Sequence, residues 1–158
     1  MLLDRSWMRR LIQYGALATR GMTLGVRGAA LDAEGRVCLV RHTYVAGWHL
    51  PGGGVEAGES AAAAMIREFR EEAEIVVDPD RPMRLHGFYH NRTAAGRDHV
   101  ALYVVHAFSV RVPKAPDGEI AACGFFALDA LPPETTAATR ARLREIREGV
   151  PSSAHWQA

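Results

Sequence analysis

The chain has 158 residues, 48% of them hydrophobic, and a formal net charge of +1, which bounds it to one domain of ordinary size with enough apolar residues for a core. That balance, with a sequence pI near 7.9, excludes charge-driven binding to nucleic-acid polymers or membrane surfaces, which needs a strong basic excess. Cys38 and Cys123 both lie in apolar runs, a setting for small buried thiols rather than a disulfide framework or a metal knuckle, so a cytoplasmic location is expected.

An amphipathic lead-in helix is expected from about residue 4 to 18, because Trp7, Leu11, Tyr14 and Ala18 recur at helical spacing. Its expected role is packing, with a partner or dimer surface as the alternative. Basic residues ahead of an apolar stretch loosely resemble a secretory signal, but Gln13, Tyr14 and Gly15 interrupt it. No run approaches the ~18 apolar residues of a membrane span. Residues 22–32 and 36–45 read as strands joined by a turn at Ala33, Glu34 and Gly35, and residues 48–59 as a loop. A helix should follow from Ser60, a suitable N-cap, with Met65, Phe69 and Ala73 as its buried stripe. Beyond a turn at Asp78, Pro79 and Asp80, residues 83–90 and 99–110 read as two strands around a hairpin loop, and residues 119–128 as another. Pro132 and Pro133 precede a last helix at about 136–148, and the tail from 150 has no clear element. Strands and helices in this mixed order predict an α/β sandwich.

The chemistry concentrates in LPGGGVEAGESAAAAMIREFREEAEI, residues 50–75. On a helix, Glu68, Glu71 and Glu72 stand at i, i+3 and i+4, so their carboxylates share a face flanking the apolar stripe. Like charges at that spacing repel, and no lysine is interleaved. Clustered oxygen ligands suit a hard divalent cation, Mg2+ or Mn2+, which keeps several waters and commonly also touches substrate phosphates. Gly52, Gly53 and Gly54, entered through Pro51, allow close backbone approach to an ion or phosphate. The plain alternative is a solvated acidic helix after a flexible turn, which the joint spacing of glycines and carboxylates disfavours.

At these residues the sequence resembles the Nudix hydrolase family. The family box, G-x5-E-x7-R-E-U-x-E-E-x-G-U with U bulky and apolar, is matched by Gly53, Glu59, Arg67, Glu68, Phe69, Glu71, Glu72 and Ile75. Glu74 stands where the family has its last glycine; a non-glycine residue in the left-handed turn expected there costs on the order of 1 kcal/mol. The resemblance covers about residues 48–75 directly and 22–131 more loosely. It implies an α/β fold of the α+β kind, a mixed β-sheet sandwiched between α-helices with an extra N-terminal helix. The organisation expected is a helical extension at 1–20, the Nudix domain at 21–149 and a C-terminal tail at 150–158.

Carried over residue by residue, the resemblance implies a hydrolase of nucleoside diphosphate derivatives. The Gly52 carbonyl and the carboxylates of Glu68, Glu71 and Glu72 would hold Mg2+, or Mn2+ in its place, and a water activated at the metal would attack phosphorus. Glu71 is the candidate base and Glu119, at the start of the late strand, the alternative. Glu59 and Arg67 would orient the metal-binding carboxylates.

Substrate recognition rests on weaker signals. Arg27 and Arg41 offer guanidinium forks for phosphate; each has a surface or structural alternative. Trp48, Tyr89 and Phe88 offer faces for a base, with core packing as the competing role. His90, Arg92 and Arg97 sit in the loop between two strands, which is otherwise an ordinary solvated turn. Residues 90–93 show neither the proline of ADP-ribose enzymes nor the tyrosine of those acting on diadenosine polyphosphates, and the coenzyme A motif is absent. The partner expected is therefore a small nucleoside diphosphate linked to another moiety, of nucleotide, nucleotide-sugar or ADP-ribose type, with no nucleic-acid polymer and no membrane. A homodimer would have the lead-in helix as a candidate surface. Two rival readings are a non-catalytic Nudix-fold nucleotide sensor, which would not need the full carboxylate set, and an isoprenoid diphosphate isomerase using a cysteine, for which neither Cys38 nor Cys123 has an evident activating base.

Overall fold

The computed structural model describes residues 6–93 and 96–157. Strand β1 (Thr23–Ala30) runs parallel to β5 (Asp98–Val105), which pairs antiparallel with β4 (Arg84–Asn91). Strand β2 (Arg36–His42) pairs antiparallel with β7 (Ile120–Ala127), and β3 (Ile75–Val77) with β6 (Phe108–Val110). Helix α2 (Ala61–Ala73) and helix α3 (Ala137–Glu148) complete the domain, and α1 (Ser6–Arg20) precedes it.

The strands carry apolar residues on both faces because helices cover both. Val26, Ala30, Cys38, Ala101 and Val105 pack with Met65 and Phe69 of α2, while Ala29, Leu39, Leu102 and Val104 pack with Leu143 of α3. This is the mixed sandwich expected. The Cys38 and Cys123 thiols are unbridged, with Sγ atoms 3.7 Å apart between β2 and β7.

Three expectations need correction. The segment 99–110 is two strands, because the chain turns at His106 and Ala107 and β6 leaves β5 to pair with β3, a short strand absent from the sequence reading. The tail is part of the fold: the His90 N–H donates to Ala154 O, the Trp156 N–H donates to His90 O, and the Trp156 ring meets Tyr89 edge-on at 5.6 Å. Leu11 and Tyr14 of the α1 stripe do not pack on the domain; they are 64% and 70% exposed, and neither joins a core cluster. The expected start of that helix at residue 4, the Trp7 side chain and part of the 91–98 loop fall outside the described residues.

Helix α2, which carries the acidic face, is fixed at both ends. Ser60 Oγ accepts from the Ala63 N–H at 3.1 Å, and Met65, Phe69 and Ala73 are buried along one side. At the other end Glu74 caps the helix at φ 54 and ψ 26, its N–H reaching Arg70 O at 3.1 Å. Among the described residues it is the only non-glycine with a positive φ. Glycine at that position relieves the Cβ strain at some cost in unfolded-chain entropy. Glu74→Gly is therefore expected to raise the melting temperature by about 2–4 °C, checked by calorimetry; a lower value would mean that the Glu74 side chain makes a compensating interaction.

Candidate functional site

The glycine loop is hydrogen-bonded along β1 almost as an added strand. The Gly28 N–H donates to Pro51 O, the Val26 N–H to Gly53 O and the Val55 N–H to Leu24 O, all at 2.8–2.9 Å. Two glycines make this approach feasible. A Cβ on Gly52, at φ +147, would stand 2.0 Å from Val26 O, and one on Gly53 would stand 2.5 Å from Glu68 Oε1. Gly54 faces open space, so the close approach needs glycine at two of the three positions.

Against this loop lies the acidic face of α2. Glu68 and Glu72 are buried, at 8% and 4% exposure, while Glu71 is exposed. One guanidinium ties the face together: Arg67 donates to Glu68 Oε1, to both carboxylate oxygens of Glu59, to Glu71 Oε2 and to Gly54 O, at 2.6–3.3 Å. Its hydrogen bond holds the Glu59 carboxyl below the ordinary range. Glu68 moves the other way: burial raises it, the Arg67 hydrogen bond opposes, and the Glu72 and Glu71 charges add to the rise.

A second guanidinium enters from β1. Arg27 Nη1 donates to Leu50 O at 3.0 Å and to Gly52 O at 2.9 Å, and its burial lowers its pKa against the pull of Glu72 and Glu68. The Gly52 carbonyl expected to face a cation thus already accepts from Arg27, and its second lone pair is what remains for an ion.

The sequence reading missed His42. Its Nε2 lies 2.7 Å from Glu72 Oε1, both side chains being buried, while Glu72 Oε2 accepts from the Gly52 N–H at 2.8 Å. The signal was the alternation of β2, in which Cys38, Val40 and His42 fall on one face. Glu119 stands beside this pair. The Thr43 N–H donates to Glu119 O, Tyr44 Oη reaches Glu119 Oε1 at 3.4 Å, and one donor atom each from His42, Glu72 and Glu119 lie within 4.8 Å of one another.

These side chains fit a divalent cation. Glu68 is raised by burial and by the neighbouring charges of Glu72 and Glu71 on the same helix face, which is an environment a positive ion relieves.

Of the residues expected to bind substrate, Arg27 lies at the carboxylates, and Arg41 lines, with Tyr44 and Glu134, a cleft of about 650 Å3 whose wall also includes His42, the partner of Glu72. The Arg41 guanidinium sits 5.7 Å from the Trp48 ring centre and reaches Glu134 at 3.8 Å, and Trp48 packs edge-on against Phe126. Tyr89 does not join them. It is fully buried, its hydroxyl donating to Glu145 at 2.8 Å and its ring held between Arg142 and Trp156; with both surfaces occupied it has no face for a ligand. Its neighbour Phe88 points outward and stacks on His99.

A family model described as NUDIX domain matches residues 22–146. Among solved structures, the chain is similar to a MutT NUDIX hydrolase from Burkholderia pseudomallei, at 29% identity over 78% of this chain and 97% of that one, with a TM-score of 0.67. It is also similar to an ADP-ribose pyrophosphatase from Streptococcus suis, at 24% identity over 85% and 96% of the two chains, TM-score 0.57. A UDP-X diphosphatase shares 21% identity over 89% and 71%, TM-score 0.54. No curated protein matches the sequence.

The position of Tyr89 has a consequence for stability in alkali. Burial and the hydrogen bond to Glu145 raise its hydroxyl well above the ordinary value of 10. A raised folded-state pKa gives stability that is full below the unfolded value and is lost as pH rises through the folded one. Urea unfolding between neutral pH and pH 11 should show wild-type stability falling above about pH 10, and Tyr89→Phe, less stable at neutral pH, should show a shallower fall; equal slopes would contradict the assignment.

Proposed function

The chain belongs to the NUDIX family and is a hydrolase acting on pyrophosphate bonds, and from that premise we propose that it cleaves the diphosphate of a nucleoside diphosphate linked to another moiety, with Mg2+ or Mn2+ held by Glu68, Glu71, Glu72 and the Gly52 carbonyl. The observation that carries this reading is the pair of buried carboxylates, Glu68 and Glu72, held against the glycine loop with exposed Glu71 on the same helix. A divalent cation bound there neutralises phosphate charge and makes a bound water more acidic.

The remaining work falls to the protein's own groups. Glu71 is the most accessible of the three carboxylates and contacts Arg67 at 3.3 Å, so it is assigned to receive the proton of the attacking water, with Glu119 as the second candidate. Arg67 Nη1 donates to both Glu68 and Glu71 and holds them in register, while its Nε and Nη2 fork onto Glu59. Arg27, beside the carboxylates, offers its guanidinium to a phosphate oxygen. Arg41 and Trp48 are assigned to the moiety beyond the diphosphate. Tyr89 has no place in this set. The proposed setting is the cytoplasm, where the unbridged Cys38 and Cys123 stay reduced.

The test is phosphate-coupled turnover on nucleoside triphosphates, nucleotide sugars, ADP-ribose and dinucleotide polyphosphates, with Mg2+ and then Mn2+. One dominant substrate class is expected. With that substrate, Glu71→Gln and Glu72→Gln should each lower kcat by at least about 100-fold while circular dichroism stays native. Unchanged kcat in both variants would sink the assignment of the carboxylates.

A further inference from the structure

Helix α2 has a second surface besides the one that carries its carboxylates. Ala62, Ile66 and Arg70 recur every fourth residue, and the core stripe of Met65 and Phe69 separates Ile66 and Arg70 from Glu68 and Glu72. Beside Ile66 and Arg70, strand β3 and the segment 78–83 line a cavity of about 640 Å3. Its walls are mainly apolar, Ile66, Val77 and Met83 among them, and none of the three box carboxylates lines it. Ile66 is left 40% exposed there.

The chain itself braces this wall. The Asp78 N–H donates to Ala107 O at 2.9 Å, the Arg81 N–H to Asp78 O at 3.2 Å and the Asp80 N–H to Asp78 Oδ1 at 2.9 Å, while Pro79 and Pro82 fix two more backbone angles in the same segment. A site held in this way loses little freedom when it is filled. Its charges are unevenly compensated. The cavity's charged residues are Arg70, Arg111 and Asp78. Asp78 is engaged by the Asp80 N–H, whereas Arg70 on α2 and Arg111 just past β6 are exposed, and among the described residues neither takes part in an ion pair. Two guanidinium groups against one carboxylate leave the mouth positive beside an apolar interior.

We propose that this cavity binds a small amphipathic anion, whose apolar body packs on Ile66, Val77 and Met83 and whose carboxylate or phosphate head is taken by Arg70 and Arg111. An apolar pocket of several hundred Å3 with a few charged groups is the ordinary form of a small-molecule site, and guanidinium forks match the oxygens of such a head. The alternative cover, the exposed α1 of a second copy, does not complement this charge, since residues 5–20 hold four arginines and no acidic residue. The site lies away from the acidic face of α2 and stands independently of the cation reading.

The test titrates octanoate, octyl phosphate and uncharged octan-1-ol into the metal-free full chain and follows backbone amide shifts by nuclear magnetic resonance. Both anions should give saturable shifts gathered at Ile66, Arg70, Val77, Met83 and Arg111, and octan-1-ol should bind at least about tenfold more weakly. Arg70→Gln and Arg111→Gln, both at exposed positions, should each weaken octanoate by about threefold and together by about tenfold, with octan-1-ol unaffected. Ile66→Asp should abolish binding of all three, and Glu72→Gln should change none of it. No saturable shift, shifts gathered elsewhere, equal affinity for octanoate and octan-1-ol, or an affinity unchanged in the double arginine variant would each overturn the proposal. So would a wild-type dimer in sedimentation that Ile66→Asp splits into monomers, because a second copy would then cover the cavity.

Discussion

The burial of two neighbouring carboxylates, Glu68 and Glu72, on one helix is the constraint around which the rest of the domain is arranged. Removing a carboxylate from water is costly unless hydrogen bonds and opposite charge replace its hydration. Each here receives a different form of compensation. Arg67 covers Glu68 and links it to Glu59 and Glu71, while Glu72 takes the Gly52 N–H on one oxygen and His42 on the other. Arg27 adds a half-buried positive charge beside the loop. Even so, Glu68 stays raised above its ordinary pKa, because burial and repulsion outweigh Arg67. The residual negative charge is what a divalent cation would relieve.

The scaffold holds these groups in place with ordinary packing. Phe69 and Met65, one residue or a few from the carboxylates, are fully buried against β1, β2 and β5, which fixes the rotation of α2. Truncating a buried aromatic such as Phe69 typically costs about 3–5 kcal/mol, well above the worth of one surface ion pair. The loop is pinned to β1 by backbone hydrogen bonds, so the Gly52 N–H is aimed before any ligand arrives. Among the described residues, the one non-glycine held in the left-handed region is Glu74, which ends the helix just before β3.

Much of this was legible in the sequence because short-range rules govern it. The spacing of Gly53, Glu59, Arg67, Glu68, Glu71 and Glu72 is local, and so are the Ser60 cap and the Met65 and Phe69 stripe; all of the latter three stand as expected. What escaped depends on long-range contacts. Phe88 and Tyr89 are adjacent aromatics, and only the docking of the tail and α3 decides that Tyr89 is sealed by Trp156 and Glu145 while Phe88 is exposed. The three-residue β3 is too short to show periodicity, and the apolar run 99–110 hides a corner because both of its strands share a similar composition. His42 was visible in the β2 alternation, but its importance emerges only when β2 meets the C-terminal part of α2.

If the buried carboxylates are a binding site held ready at a cost, cation binding and folding must be coupled. The most direct measurement is the urea midpoint of the metal-free protein as Mg2+ and Mn2+ are raised, for wild type and for Glu72→Gln. The wild-type midpoint should climb with the logarithm of free cation, reaching about 2.7 kcal/mol of added stability at a hundredfold excess over Kd, and Glu72→Gln should lose most of that climb. A wild-type midpoint indifferent to both ions would contradict it, leaving the carboxylates as a structural network tied by Arg67 and His42.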